Sequence, residues 1–138
     1  MKAIKYTLYT FLISISLYAL DGVLKYALEL YHNNQLKNNV EVVNRLVEEA
    51  KSGDTSAAFL LASAYKNGKL GKKDLKKSYY WYKEAAMQGD ADAMLMLGWL
   101  YYKGSEDIAI DMQKAKYWFH KAAAKGVDEA VEMLALLQ

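Results

Sequence analysis

The chain has 138 residues, one domain's worth, of which 54% are apolar and 25% charged, a globular composition and not a disordered one. Its 18 basic and 16 acidic side chains leave a net charge of only +2, too little for the broad basic field of a nucleic-acid binder. With no cysteine and no proline, it has no disulfide framework, no thiolate chemistry and no cysteine-based zinc site, and its composition suits an all-helical chain.

The first 19 residues differ from the rest. Lys2 and Lys5 precede an uncharged run from Tyr6 to Leu20, and Leu17-Tyr18-Ala19 ends in a small residue. This is the layout of a secretory signal peptide, with a run short for a membrane span. Cleavage after Ala19 predicts a periplasmic or secreted protein. The alternative is an uncleaved anchor through residues 6–20 that holds the chain at the inner membrane. Removing residues 1–19 takes away two lysines and no acid, leaving 16 basic and 16 acidic residues.

Leu24, Ala27, Leu28 and Tyr31 fall at helical spacing and predict a helix over 21–33, with Asn33-Asn34 to end it. Asn39 caps a second predicted helix, 40–51, whose inner face is Val43, Leu46, Val47 and Ala50. Residues 20–52 thus read as a degenerate helical hairpin that closes one end of a stack.

From Gly53 onward the chain repeats itself. Gly53, Gly89 and Gly126 are separated by 36 and 37 residues, and the extra residue falls in the loop after Gly104. In that register Ala57, Leu61, Tyr65 and Gly68 fall on Ala93, Leu97, Tyr101 and Gly104, while Asp74, Lys77, Trp81 and Tyr82 fall on Asp111, Lys114, Trp118 and Phe119. Helices are predicted over 54–67, 74–88, 90–103 and 111–125, and a last one over 127–137. Asp54, Asp74, Asp90 and Asp111 precede the apolar runs as N-cap residues do, and glycines follow helix ends where a left-handed residue is needed. Ala93, Leu97, Leu100 and Tyr101 form one inner stripe. Ala115, Trp118 and Ala122 form another, with the Trp expected to fill the space beside the alanines. A single hairpin cannot bury its apolar face, whereas stacked copies share a continuous core.

These residues resemble the Sel-one-like repeat family, relatives of the tetratricopeptide repeat. Its pattern is matched almost throughout residues 89–126, by Ala93, Leu97, Gly98, Tyr101, Gly104, Asp111, Lys114, Ala115, Trp118, Phe119, Lys121, Ala122, Ala123 and Gly126. In residues 53–89, Ala62 replaces the intrahelical glycine and Ser78 replaces the alanine after Lys77. The family's second loop glycine is replaced by Leu70 and Glu106. The resemblance implies an all-α fold, an α/α solenoid of antiparallel hairpins. Its units are a degenerate hairpin at 20–52, repeats at 53–88 and 89–125, and a capping helix at 126–138. It also implies a non-enzymatic adaptor or scaffold that binds a protein partner, or an immunity protein that occludes a toxin.

No catalytic constellation emerges. His32 and His120 lie on helices not expected to be neighbours, and every glycine is explained by a helix end, so no triad, metal site, phosphate loop or cofactor is expected. Glu106, Asp107 and Asp111 match no calcium-loop spacing.

Two surfaces stand out. Lys66, Lys69, Lys72, Lys73, Lys76 and Lys77 fall within 12 residues, opposed only by Asp74. They form either a basic patch that faces anionic lipid or an acidic partner, or a solvated edge. Leu95, Trp99 and Tyr102 make an i, i+4, i+7 stripe, with Phe59, Ser63 and Lys66 one repeat earlier. In such solenoids the first helices line the concave face, so these six residues are the expected partner-binding surface, with Trp99 and Tyr102 as anchors. The competing reading packs Trp99 between adjacent repeats.

Overall fold

The computed structural model describes residues 22–138, and the leader or anchor expected within residues 1–20 lies outside them. Among the described residues there are seven α-helices, one 3-10 turn and no strand. Helices α1 (Gly22–His32) and α2 (Val40–Lys51) form the first hairpin. Next come α3 (Thr55–Lys66) with α4 (Leu75–Met87), α5 (Ala91–Lys103) with α6 (Met112–Ala123), and α7 (Asp128–Leu136) alone. Each helix packs on the next, and α1 also touches α3. The result is the α/α solenoid that the repeat predicts.

The helix ends follow from local chemistry. Asn39, Asp54, Asp74, Asp90 and Asp111 each accept the backbone N–H three residues on, at 2.7–3.2 Å. Each therefore satisfies one of the donors that a helix start leaves without an intrahelical partner. Asn34 takes a φ of +58° where the later hairpins have Gly68 and Gly104, as the shorter polar residue tolerates.

Both complete hairpins turn on the same three-residue corner. In the second, the Asp74 N–H donates to the Tyr65 carbonyl at 3.0 Å. The Lys77 ammonium pairs with the Asp74 carboxylate at 3.4 Å and lies 5.2 Å over the Tyr65 ring. In the third, Asp111 donates to the Tyr101 carbonyl at 2.9 Å. Lys114 pairs with Asp111 at 3.2 Å and lies 5.2 Å over the Tyr101 ring. The extra residue of the third hairpin is taken up between these ends, where the Ser105 N–H donates to the Ile108 carbonyl at 2.7 Å and Ile108 tucks inward.

Two departures from expectation bear on how the hairpins pack. Phe119, not Trp118, is the ring sealed between the alanines: Phe119 is fully buried together with Ala115 and Ala122, and Trp118 sits at the edge of the core. One helical step of 100° decides between neighbours, and the bare backbone of Gly98 offers the room that Phe119 fills. The second departure is the 3-10 turn Leu36–Asn38, in the stretch left between the helices predicted at 21–33 and 40–51. Its Leu36 is fully buried and plugs the first hairpin.

Candidate functional site

The first helices α1, α3, α5 and α7 share one face, and that face carries two grooves. The first holds about 420 Å³ and is lined by Leu24, Tyr31, Phe59, Leu60, Ser63 and Asp92 among others. The second holds about 330 Å³ and is lined by Lys66, Met96, Trp99, Leu100, Lys103 and Glu129. Of the six residues expected on this face, four line these grooves. Phe59 and Ser63 belong to the first groove, where Phe59 meets the Tyr82 ring edge-on at 5.3 Å. The Ser63 and Tyr82 hydroxyls share a hydrogen bond of 2.9 Å. Lys66 and Trp99 belong to the second. Tyr102 stands beside it, half-buried, with its ring 5.5 Å from Trp99. Leu95 is 8% exposed and packs in the core, so it offers no contact surface.

Trp99 is held on four sides. Phe119 meets it edge-on at 5.8 Å, Tyr102 at 79° between ring planes, and the Lys103 ammonium lies 4.6 Å from its centroid. Its indole N–H donates to the Glu129 carboxylate, 2.8 Å away on α7. It packs against its own hairpin partner, through Phe119, as well as lining the groove. A ring fixed in this way and still half-exposed suits an anchor, because little side-chain freedom remains to be lost on binding. Burial and then the neighbouring Lys103 charge lower the pKa of the Lys66 ammonium beside it.

The lysine run is less free than its sequence suggests. Lys76 pairs with Asp107 at 3.0 Å, Lys77 with Asp74, and Lys69 donates to the Asn34 side chain while lying over the Tyr31 ring. Lys72 and Lys73 are exposed and carry no ion pair among the described residues.

A third groove, of about 350 Å³, was not anticipated. It lies between α4 and the loop after α5, lined by Lys76, Tyr79, Tyr101, Asp107, Ile108 and Lys114 among others. The Tyr79 and Tyr101 hydroxyls share a 2.8 Å hydrogen bond there. Burial, the bond to Tyr79 and the acid Asp111 all raise the Tyr101 pKa, so that hydroxyl stays protonated. Tyr79 and Tyr101 stand 22 residues apart, so no short-range spacing in the sequence pairs them. The loop that closes it follows no periodic pattern.

His32 and His120 are both exposed, on α1 and α6. Among the described residues no group of three His, Cys, Asp or Glu side chains is placed to hold a metal ion. No described helix is long and apolar enough to cross a membrane.

The family model "Sel1 repeat" matches residues 55–90 and 91–127. A Sel1 repeat protein from Oxalobacter formigenes is 33% identical, over 65% of this chain and 67% of its own, with a TM-score of 0.59. Helicobacter pylori cysteine rich protein B is 27% identical, over 96% of both chains, with a TM-score of 0.67. The protein c5321, a protective antigen present in uropathogenic Escherichia coli strains and displaying an SLR fold, is 27% identical with a TM-score of 0.69. The alignment covers 79% of this chain and 24% of that antigen, so the chain spans about a quarter of its length. No curated protein sequence matches. Unlike the relative named as cysteine rich, this chain contains no cysteine.

Proposed function

The chain belongs to the Sel1 repeat family, whose fold is generally a non-catalytic scaffold for protein–protein interaction, and from that premise we propose that it is an adaptor of the bacterial envelope. It binds a protein partner on the face formed by α1, α3, α5 and α7. The observation that carries this reading is Trp99, an indole clamped by Phe119, Tyr102, Lys103 and Glu129 yet still lining an open groove. Aromatic side chains of this kind dominate the energy of protein interfaces. The envelope assignment is supported by Lys2 and Lys5 ahead of the uncharged run Tyr6–Leu20.

The test is affinity capture from native envelope extract with the full chain and with a Trp99→Ala/Tyr102→Ala variant whose helicity is checked by circular dichroism. A partner retained by the first bait and lost by a folded second bait supports the reading. A partner held equally by both places the interface elsewhere, with Lys72 and Lys73 next to be reversed to Glu. The same uncharged run also favours a second reading, in which residues 6–20 stay as an anchor and the repeats recruit the partner to the bilayer. Fractionation separates the two: a mature chain beginning at Leu20 means export, and an intact Met1 in the membrane fraction means tethering.

A further inference from the structure

Lys66 ends α3 and Lys103 ends α5, and both line the groove of about 330 Å³ whose apolar wall is Met96, Trp99 and Leu100. The ion pairs among the described residues use Lys76, Lys77 and Lys114, so neither groove lysine has an acidic partner there. The one acid in the lining, Glu129, is engaged through Oε1 by the Trp99 N–H. The groove therefore carries two cations and one committed anion against an apolar wall. Lys66 is half-buried, and its charge is further disfavoured by Lys103. A ligand anion would relieve that opposition.

We propose that this groove receives the C-terminal carboxylate of a partner polypeptide together with the apolar side chain of its last residue. This rests on the reading that the first-helix face is the partner surface, and it names the chemistry recognised there. The terminal position is favoured over an internal acid for a geometric reason. The last residue of a chain carries its carboxylate and its side chain on the same Cα. In an extended segment, an acidic side chain and the apolar one beside it point to opposite faces. A groove of about 330 Å³ that sets the Lys103 ammonium 4.6 Å from the Trp99 ring, with Lys66 and Met96 in the same lining, favours the first arrangement, in which charge and apolar group leave one Cα. The carboxylate lies between Lys66 and Lys103, the apolar side chain lies against Trp99, Met96 and Leu100, and Glu129 accepts a backbone N–H of the ligand.

The test selects random heptapeptides on the full chain in two display formats, one with free carboxyl termini and one with free amino termini. The free-carboxyl format is expected to enrich peptides ending in an apolar residue. The best of these, synthesised as a carboxamide, should bind about tenfold to a hundredfold more weakly, as should the acid form on Lys66→Met or Lys103→Met, the range for losing a charge-assisted hydrogen bond. Lys66→Met removes the repulsion from Lys103 and gives up no ion pair or ring contact, so its thermal midpoint should match or exceed that of the parent chain, which separates lost recognition from lost folding. Lys103→Met also gives up its contact with the Trp99 ring and is read only beside it. Equal binding of acid and amide, or enrichment of an internal Asp or Glu motif in either format, overturns the terminal-carboxylate assignment. If that binding is still abolished by Trp99→Ala/Tyr102→Ala, the partner face itself survives. Peptides bound regardless of Trp99 and Tyr102, or no enrichment in either format, overturn both.

Discussion

The Phe119 ring lies on the bare backbone of Gly98, so close that a β-carbon there would stand 2.5 Å from ring atoms Cδ1 and Cε1. Alanine would ordinarily gain about 1 kcal/mol over glycine inside a helix. Here the neighbour is a fully buried aromatic ring with no room to retreat, and overpacking of this kind costs about 1–3 kcal/mol. Gly98→Ala is therefore expected to destabilise the fold, by up to about 2 kcal/mol, in urea denaturation. Gly98→Ala/Phe119→Leu should recover part of that loss. Unchanged stability of the single variant would mean that the ring is not held against α5.

Ser78 is the only buried polar side-chain atom without a hydrogen-bond partner among the described residues. It stands where the next repeat has Ala115, at the tight crossing of α3 and α4. Ser78→Ala removes a desolvated hydroxyl and replaces it with a better helix former. The expected outcome is a gain of about 1 kcal/mol or more, read as a higher denaturation midpoint with an unchanged slope. A loss would show that the hydroxyl has a partner.

The Ser63–Tyr82 hydrogen bond is asymmetric, because Tyr82 is 1% exposed while Ser63 borders a groove. Tyr82→Phe frees a serine hydroxyl that water can reach, at a cost of about 0.5–1.5 kcal/mol. Ser63→Ala leaves a phenol buried and unpaired, about 1–3 kcal/mol, less about 0.5 kcal/mol of helix propensity. The serine variant should thus be the less stable of the two in parallel denaturation curves, and the reverse order would contradict the burial of the phenol.

Asp74 and Asp111 supply the acid side of stability. The backbone N–H groups of Lys77 and Lys114 are the first cause that holds each carboxyl below its ordinary value of 3.8. A carboxyl depressed in the folded state contributes fully above its unfolded pKa, and that contribution is lost as pH falls through the folded value. Stability should therefore decline below pH 3.8 in the parent chain. The Asp74→Asn/Asp111→Asn variant keeps a capping oxygen but no titrating group, so its decline over that window should be shallower. Identical acid profiles would remove these carboxylates as a cause.

Much of the scaffold was legible because it is written in short-range chemistry. An aspartate three residues ahead of its N–H partner, and a glycine or asparagine after a helix, act within one turn and read the same wherever the chain goes. Leu36 escaped because a three-residue turn has no period to detect. Trp118 and Phe119 were exchanged because adjacent residues on a helix differ by 100°, within the uncertainty of an inner stripe judged by residue type. The partner face suffered most. A stripe on one helix states which residues share its side, but α1 and α7 decide which groove each enters. That is why Phe59 and Ser63 part from Lys66 and Trp99, and why Glu129, with three helices between it and Lys66 in sequence order, belongs to the same groove.

The paired Tyr–Asp–Lys corners separate loop length from helix register. Each corner fixes both ends of its loop, through the Tyr65–Asp74 and Tyr101–Asp111 backbone bonds, independently of how many residues run between them. Nine positions separate the first pair and ten the second, yet the helices on either side meet their neighbours in the same way. The corner between α5 and α6 is thus a place of tolerated growth, where the lineage of this repeat has room to lengthen and diversify its loops while the stack beneath keeps its form.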